Sequence, residues 1–297
     1  AMHAQDPAWP QSVVQHLHIR NIVVNHLRDM PFDNLPGVAV PIPVWEDRAA
    51  WADRITAEDA TRRTQAAARE AIQKRVTELS TSGVRGMRVL AATFEQRGKA
   101  AVVLPDTLPD GPLQPWQAEA FLSHALFQAL GQQGMFAQLF LGVERDVSRR
   151  TAMGVNDPRR IINLYPLFEQ YPCGFELVIG APQNNLDAAQ AARIYPNVHV
   201  GGLWWYNFRQ STYNHTMQVR LEAVPAEKSA IVASDARCIE WCYGKILLVK
   251  WLLADFMQQQ VARGWLSEGD ALWVAQEWLH DAAARRYLPD GPDGLDN

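Results

Sequence analysis

The sequence is short of the features that announce several large classes of protein. Its 297 residues contain only three cysteines, Cys173, Cys238 and Cys242. So few, and an odd number, do not make a disulfide framework. Cys238 and Cys242 are spaced to share a helix face, but no second Cys or His pair lies nearby to complete a zinc site, and packing is the simpler reading. No apolar run approaches the roughly 18 to 20 residues needed to cross a bilayer, and the N-terminus lacks the charged and apolar regions of a signal peptide. A cytoplasmic protein with no membrane partner is the expectation. Positive charge is not in excess. A net charge of −4 leaves no basic face of the size nucleic acid demands, so no nucleic-acid partner is expected. No Gly-x-Ser-x-Gly elbow, Gly-x-x-x-x-Gly-Lys loop or Gly-x-Gly-x-x-Gly turn follows an apolar run, so nucleotide cofactors are not indicated. Short-period repeats and low-complexity tracts are missing too.

What is present is a hydrophobic content of 48%, enough for a sizeable core in one large domain. Short apolar runs alternate with longer amphipathic ones, the rhythm of strand and helix units around a parallel sheet. Seven runs read as strands: Ile19–Asn25, Val38–Val44, Val84–Ala91, Phe136–Gly142, Phe175–Gly180, Val198–Leu203 and Ala230–Ser234. They are continuously apolar, as suits strands covered on both faces. Helices are expected over Ala57–Leu79, Gln114–Gln132, Leu186–Arg193 and Cys238–Arg263, with Ser267 and Asp270 forming a capping box for one more. The tryptophans at 241, 251, 273 and 278 follow helix spacing and read as core.

In a (β/α) barrel the site is built where the strands end at their C-termini. Two sequences at such positions are unusual: Gly201-Gly202-Leu203-Trp204-Trp205-Tyr206-Asn207 and Ser234-Asp235-Ala236-Arg237. Asp235 is placed to bind a metal, or else to cap the helix that follows, and Arg237 to clamp a carboxylate bidentately. His26, at the C-terminal end of the first run, is better placed for a site role than the pair in His16-Leu17-His18, which precedes that run. His199 reads as a wall residue inside a strand, His215 as a possible border of the pocket, and His124 and His280 as structural.

The run Asn197 to Asn207 resembles the strand of uronate isomerases that ends in a Trp-Trp-Phe/His-Asn signature. Ser234-Asp235-Ala236-Arg237 is similar to that family's Thr/Ser-Asp-Ser/Ala-Arg or -Tyr motif, and Gln138-Leu139-Phe140-Leu141-Gly142 to its Gln-Leu-His-Ile-Gly strand. The similarity extends more weakly from Ile19 to Arg286-Tyr287. It implies an α/β fold, a (β/α)8 TIM-type barrel of the metal-dependent hydrolase kind in the amidohydrolase superfamily. It also implies an enzyme of carbohydrate metabolism, an intramolecular oxidoreductase that interconverts an aldo-uronate such as glucuronate or galacturonate with its keto-uronate, with a divalent metal, commonly zinc, as cofactor. By the same resemblance Asp235 is the metal ligand and proton shuttle, Arg237 holds the sugar-acid carboxylate, and Trp204 and Trp205 shape the pocket. Arg145 matches an arginine beyond the Phe140 strand and is a second anion contact.

The sequence departs from the family at three places. Phe140 stands where the family has His. Val24-Asn25-His26-Leu27-Arg28 stands where a strand commonly ends in Thr-Thr-Asp-Asp-Pro. The first strand, with its His-x-His, is not visible. The chain opens Ala-Met-His, and Pro7 to Val14 reads as the middle of a helical connection. The expectation is therefore a barrel domain over residues 1–288 made of strands two to eight, followed by a loose tail, 289–297. A barrel open by one strand exposes two edges, so either further N-terminal residues or a homo-oligomer is expected to cover the gap. The alternatives are another reaction of the superfamily, hydrolysis or decarboxylation of a small carboxylate, and a catalytically inactive or truncated relative.

Overall fold

The apolar runs become parallel strands. In a computed structural model, residues 8–25, 39–103, 108, 110, 113–148, 151–155, 157, 159–236 and 238–292 are described. Helix α1 (Trp9–His16) leads into β1 (Ile22–Val24), which pairs in parallel with β2 (Ala39–Pro41). Strands β3 (Gly86–Leu90), β4 (Phe136–Leu141), β7 (Gly174–Ile179) and β8 (Val198–Leu203) form a second parallel ladder in that order. Isolated parallel bridges extend it at both ends, Val44 to Arg88 on one side and Val200 to Ser229 and Leu203 to Val232 on the other. Seven parallel segments thus lie side by side in chain order. Among the described residues no ladder joins β1 to the Ser229–Val232 segment.

Two runs are less regular than expected, for identifiable reasons. Pro41 and Pro43 have no N–H to give to a ladder, which keeps β2 short; Val38 lies outside the described residues. The Ala230–Ser234 run makes bridges rather than a strand because other groups take its backbone partners. The Arg220 guanidinium donates to Ala230 O (2.6 Å) and Gly201 O (3.0 Å), and Ile231 N donates to Trp278 O (3.1 Å).

The crossovers are helical: α2 (Arg48–Thr56), α3 (Arg62–Thr81), α4 (Ala92–Arg97), α5 (Lys99–Val102), α6 (Pro115–Gln132), α9 (Asn184–Ile194) and α10 (Gln210–Ala223), with α11 (Ile239–Ala262) and α12 (Glu268–Gln276) closing the chain. The helix expected from Ala57 starts at Arg62 instead, because Thr61 N donates to Thr64 Oγ1 (3.3 Å) and fixes the first turn there. The capping box forms as read: Ser267 Oγ accepts from Asp270 N at 3.1 Å. A hairpin of β5 (Val143–Ser148) and β6 (Thr151–Gly154) follows β4 and has no counterpart in the sequence reading. Helices α7 (Arg159–Ile162) and α8 (Tyr165–Gln170) come next, and α13 (Ala282–Tyr287) is the last element described. Residues 293–297 of the expected tail lie outside the described residues.

Alternation along the strands sorts their side chains onto two faces. Met87, Val89, Ala137, Leu139, Phe175, Leu177, Val198 and Val200 join buried residues of α3, α6 and α9 in the main core. The opposite face carries a polar level, with Arg88, Gln138, Glu176 and His199 in register across four strands. Helix α13 inserts there: Arg286 pairs with Glu176 (2.9 Å), and Tyr287 Oη donates to the same carboxylate. Gln138 Nε2 donates to Glu176 (2.7 Å), and Gln138 Oε1 accepts from Asn25 Nδ2 (3.0 Å) at the end of β1. The carboxylate of Glu176 is thus the hub of this layer, since a buried charge requires partners.

Candidate functional site

All seven segments run the same way, so the residues after them meet at one edge. Beyond β8 the chain makes a 3-10 turn, Trp205–Asn207. Asn207, fully buried, holds that turn to the neighbouring strand: Nδ2 donates to Ile179 O (2.7 Å) and Trp204 O (3.1 Å), and Oδ1 accepts from Asn185 Nδ2 (2.9 Å). Trp204 is buried too; its indole donates to Val178 O (3.3 Å) and packs edge-on against Phe140. Trp205 is half-buried, tilted against the Trp204 ring and stacked on Tyr206. Trp205 has φ +51°, a left-handed conformation that is a genuine outlier for so bulky a residue and persists only where surroundings impose it. The Arg88 guanidinium lies 4.3 Å from the centre of the Phe140 ring, so a cation, three aromatic rings and Tyr206 line up along this edge.

The Leu203 to Val232 bridge sets the second motif beside the first. Asp235 follows three residues later, exposed, with φ +43°. It is not the helix cap: α11 has Cys238 at its N-cap, without a side-chain bond. Lys245 reaches back from α11 to donate to Ser234 O and lies over the Phe208 ring. Burial lowers its pKa, and the charge of Asp235 opposes that shift. Cys242 is buried, which raises its thiol pKa, and it hydrogen-bonds Ser234; the three cysteines are free. Arg237 and His26 lie outside the described residues. Arg145 falls in β5, on the hairpin that packs Gly154 against Tyr206, and its side chain lies outside what is described.

One group at this edge had no counterpart in the sequence reading. Glu95, in the first turn after β3, is buried and accepts from Gly142 N (2.8 Å) at the end of β4. Burial raises its pKa, opposed by the Gly142 hydrogen bond and by Arg160, which bridges Glu95 (3.6 Å) and Glu144. A carboxylate one turn beyond an apolar run was the available signal for it, and an arginine inside such a run was the signal for Arg88.

The histidines sort differently. His16 is exposed, at the end of α1, where it stacks on Tyr243; His18 is exposed too, and both precede β1 at the opposite edge from the site. Burial, with Arg286 and Lys228, drives the His199 pKa down to about 3, so its imidazole is neutral. His124 is fixed by Tyr171 Oη (2.6 Å) and Ala101 O (2.8 Å), and His280 by Asp281. His215 is exposed on α10. Among the described residues no three His, Cys, Asp or Glu side chains converge as a metal centre. Asp235 is the single ligand of the implied set that is described, and Phe140 offers no donor, so the donor set described here does not fit a bound metal.

No protein-family model matches this sequence, and no curated protein matches it. Solved structures do. The chain is similar to the uronate isomerase of Thermotoga maritima, with a TM-score of 0.63 and 16% identity, over 92% of this chain and 68% of that one. It is similar to a uronate isomerase of Bacillus halodurans, with a TM-score of 0.66 and 14% identity, over 92% of this chain and 67% of that one. A candidate metal-dependent hydrolase of Lactobacillus casei gives a TM-score of 0.67 at 12% identity, over 94% and 75% of the two chains. The fold is the one these proteins share. Among the described residues no helix is long and apolar enough to cross a membrane.

Proposed function

We propose that this chain isomerises a hexuronate, glucuronate or galacturonate, between its aldose and ketose forms at the C-terminal edge of the parallel array. The observation that carries the proposal is the Leu203 to Val232 bridge. It brings the double-tryptophan turn and the Ser234-Asp235-Ala236 segment to neighbouring strand ends at one edge of a fold shared with uronate isomerases.

The chemistry asked of these residues is a proton transfer. In the open-chain sugar acid the C2–H bond breaks, a C1–H bond forms, and the O2 hydroxyl proton moves to O1 by way of an enediolate. Asp235 is the base at C2, worth about 10²- to 10⁴-fold in rate for a positioned carboxylate. Arg237 takes the substrate carboxylate in a bidentate clamp, with Arg145 as a second cation and His26 at the rim. Trp204 and Trp205 shape the pocket wall, with Trp204 packed against Phe140 and Trp205. The resemblance implies a divalent metal, zinc in the usual case, as the electrophile. The donors among the described residues do not fit one.

The test is conversion of glucuronate and galacturonate by the purified chain, with and without added divalent metal, alongside the neutral sugars glucose and galactose. Turnover of an acid and not of the neutral sugars is expected. No turnover of either acid under any metal condition overturns the proposal. A second reading is hydrolysis or decarboxylation of a small carboxylate, favoured by Phe140 in place of a proton-transferring histidine and by the similarity to the candidate hydrolase. A chain that binds a uronate, seen by calorimetric titration, without converting it favours a non-catalytic relative.

A further inference from the structure

Tryptophans expected in the core stand in solvent. On α11, Trp241 is 56% exposed, Leu247 42%, Leu248 37% and Trp251 76%; just beyond, Trp265 is 61% exposed, and on α12 Leu272 is 72% and Trp273 52% exposed. Only Trp278 of the helix-spaced set is buried. Trp241, Gly244, Leu248 and Trp251 recur at three- and four-residue steps, which makes one stripe opposite the buried residues Val249, Leu252, Leu253, Phe256 and Met257. The helix therefore has two apolar faces, and the fold covers one.

We propose that the outer face of the α11–α12 pair is the interface of a two-fold dimer of this chain. Area decides between a scatter of exposed residues and an interface. At about 250 Å² for a fully exposed tryptophan, the four rings leave about 600 Å² bare. With the three leucines the exposed apolar side chains of the two helices and the turn between them present roughly 900 Å² per chain, against the roughly 300–600 Å² of the largest patch on a typical monomer. One partner of a standard interface contributes about 800 Å², an area of the size these side chains present.

The charge pattern agrees. From Trp241 to Ala254 the chain has no carboxylate, and its two lysines are tied to backbone carbonyls, Lys245 to Ser234 O and Lys250 to Leu17 O. Burying this stretch therefore strands no carboxylate and leaves both ammonium groups their carbonyl partners, and Glu240 and Asp255 fall at its rim, the arrangement of interfaces with an aromatic core and a polar edge. The stripe is also self-complementary. Trp251 is its most prominent knob, and Gly244, with open space where a Cβ would stand, is its notch. In an antiparallel crossing about a two-fold axis each Trp251 seats over the partner's Gly244, satisfying both contacts at once. This interface is separate from the sheet edge at β1, and it does not depend on the catalytic reading.

Sedimentation equilibrium of the 297-residue chain over a dilution series tests it. The mass is expected to be twice 33.4 kDa at high concentration and to fall toward the single-chain mass on dilution. Trp251→Glu is expected to weaken association by at least about 30-fold, as for a central aromatic anchor. Leu186→Glu, an equally conservative test of an exposed leucine on α9, is expected to leave it unchanged. Because Trp251 is mostly exposed, the variant is expected to keep the wild-type circular dichroism spectrum; Gly244→Trp, which fills the notch, gives an independent second disruption. A wild-type monomer at every concentration overturns the proposal, as does a dimer that neither variant weakens. A monomer that instead sediments with anionic phospholipid vesicles assigns the face to a lipid surface and overturns it as well.

Discussion

Glu176 accepts hydrogen bonds from Gln138, Arg286 and Tyr287 inside the fold. Removing one partner of a buried ion pair leaves the other charge unpaired, so Glu176→Ala is expected to cost about 3–5 kcal/mol, measured by urea unfolding. His199, on the same level, gives a pH signature. Its pKa is about 3 when folded, against 6.5 for the free group, so the unfolded chain takes up the proton first on acidification. The stability this residue contributes is complete above pH 6.5 and is lost as pH falls from 6.5 through 3. His199→Gln is expected to flatten the dependence of the urea midpoint on pH in that window relative to wild type; an unchanged slope would count against a buried neutral imidazole. Asp235 behaves differently again. It is exposed, caps nothing, and holds a left-handed φ that asparagine also tolerates, so Asp235→Asn is expected to unfold at the wild-type urea midpoint.

At the scale of elements, the turn after β8 and its bridge to the next segment carry the site. Asn207→Ala removes two hydrogen bonds to backbone carbonyls and strands Asn185, at an expected cost of about 2–3 kcal/mol, with weaker uronate binding as the accompanying readout. Gly202 is the tightest point: a Cβ there would lie 2.0 Å from Val232 C. Gly202→Ala is expected to push the Ser229–Val232 segment off β8 and to lower uronate affinity more than stability, compared by titration and urea unfolding. The strand order and most helices were legible in the sequence because apolar runs and helical spacing are local signals. The β5–β6 hairpin was not legible, since its residues carry no alternating apolar pattern. The irregular last segment was not legible either, because its hydrogen bonds go to Arg220 and to Trp278 O, contacts set by the tertiary fold. Of the site, the Trp204–Asn207 turn and Asp235 were read from the sequence, while Glu95 and Arg88 emerged only once strand ends met.

For the whole molecule, the helix layer and the strand array end differently. Trp9 and His16 of α1 meet Tyr243 of α11, and Val13, Val14 and Leu17 share a cluster with Ile239 and Cys242. Helices α1 and α11 therefore touch, while among the described residues no ladder joins β1 to the Ser229–Val232 segment. Helical spacing placed the tryptophans of α11 and α12 in a core because periodicity reports that a face is apolar and not what covers it. Trp251 lies about ten residues along α11 from Trp241, whose ring Lys245 overlies near Ser234, so Trp251→Glu is expected to dissociate the chain with turnover per chain retained. The most direct test of the site is uronate isomerisation by wild type and Asp235→Asn compared side by side. The expected result is conversion of glucuronate or galacturonate by the wild type and a loss of at least about 100-fold in the variant at unchanged fold. Equal turnover by the two proteins would contradict the assignment of Asp235 as the base and, with it, the placement of the site.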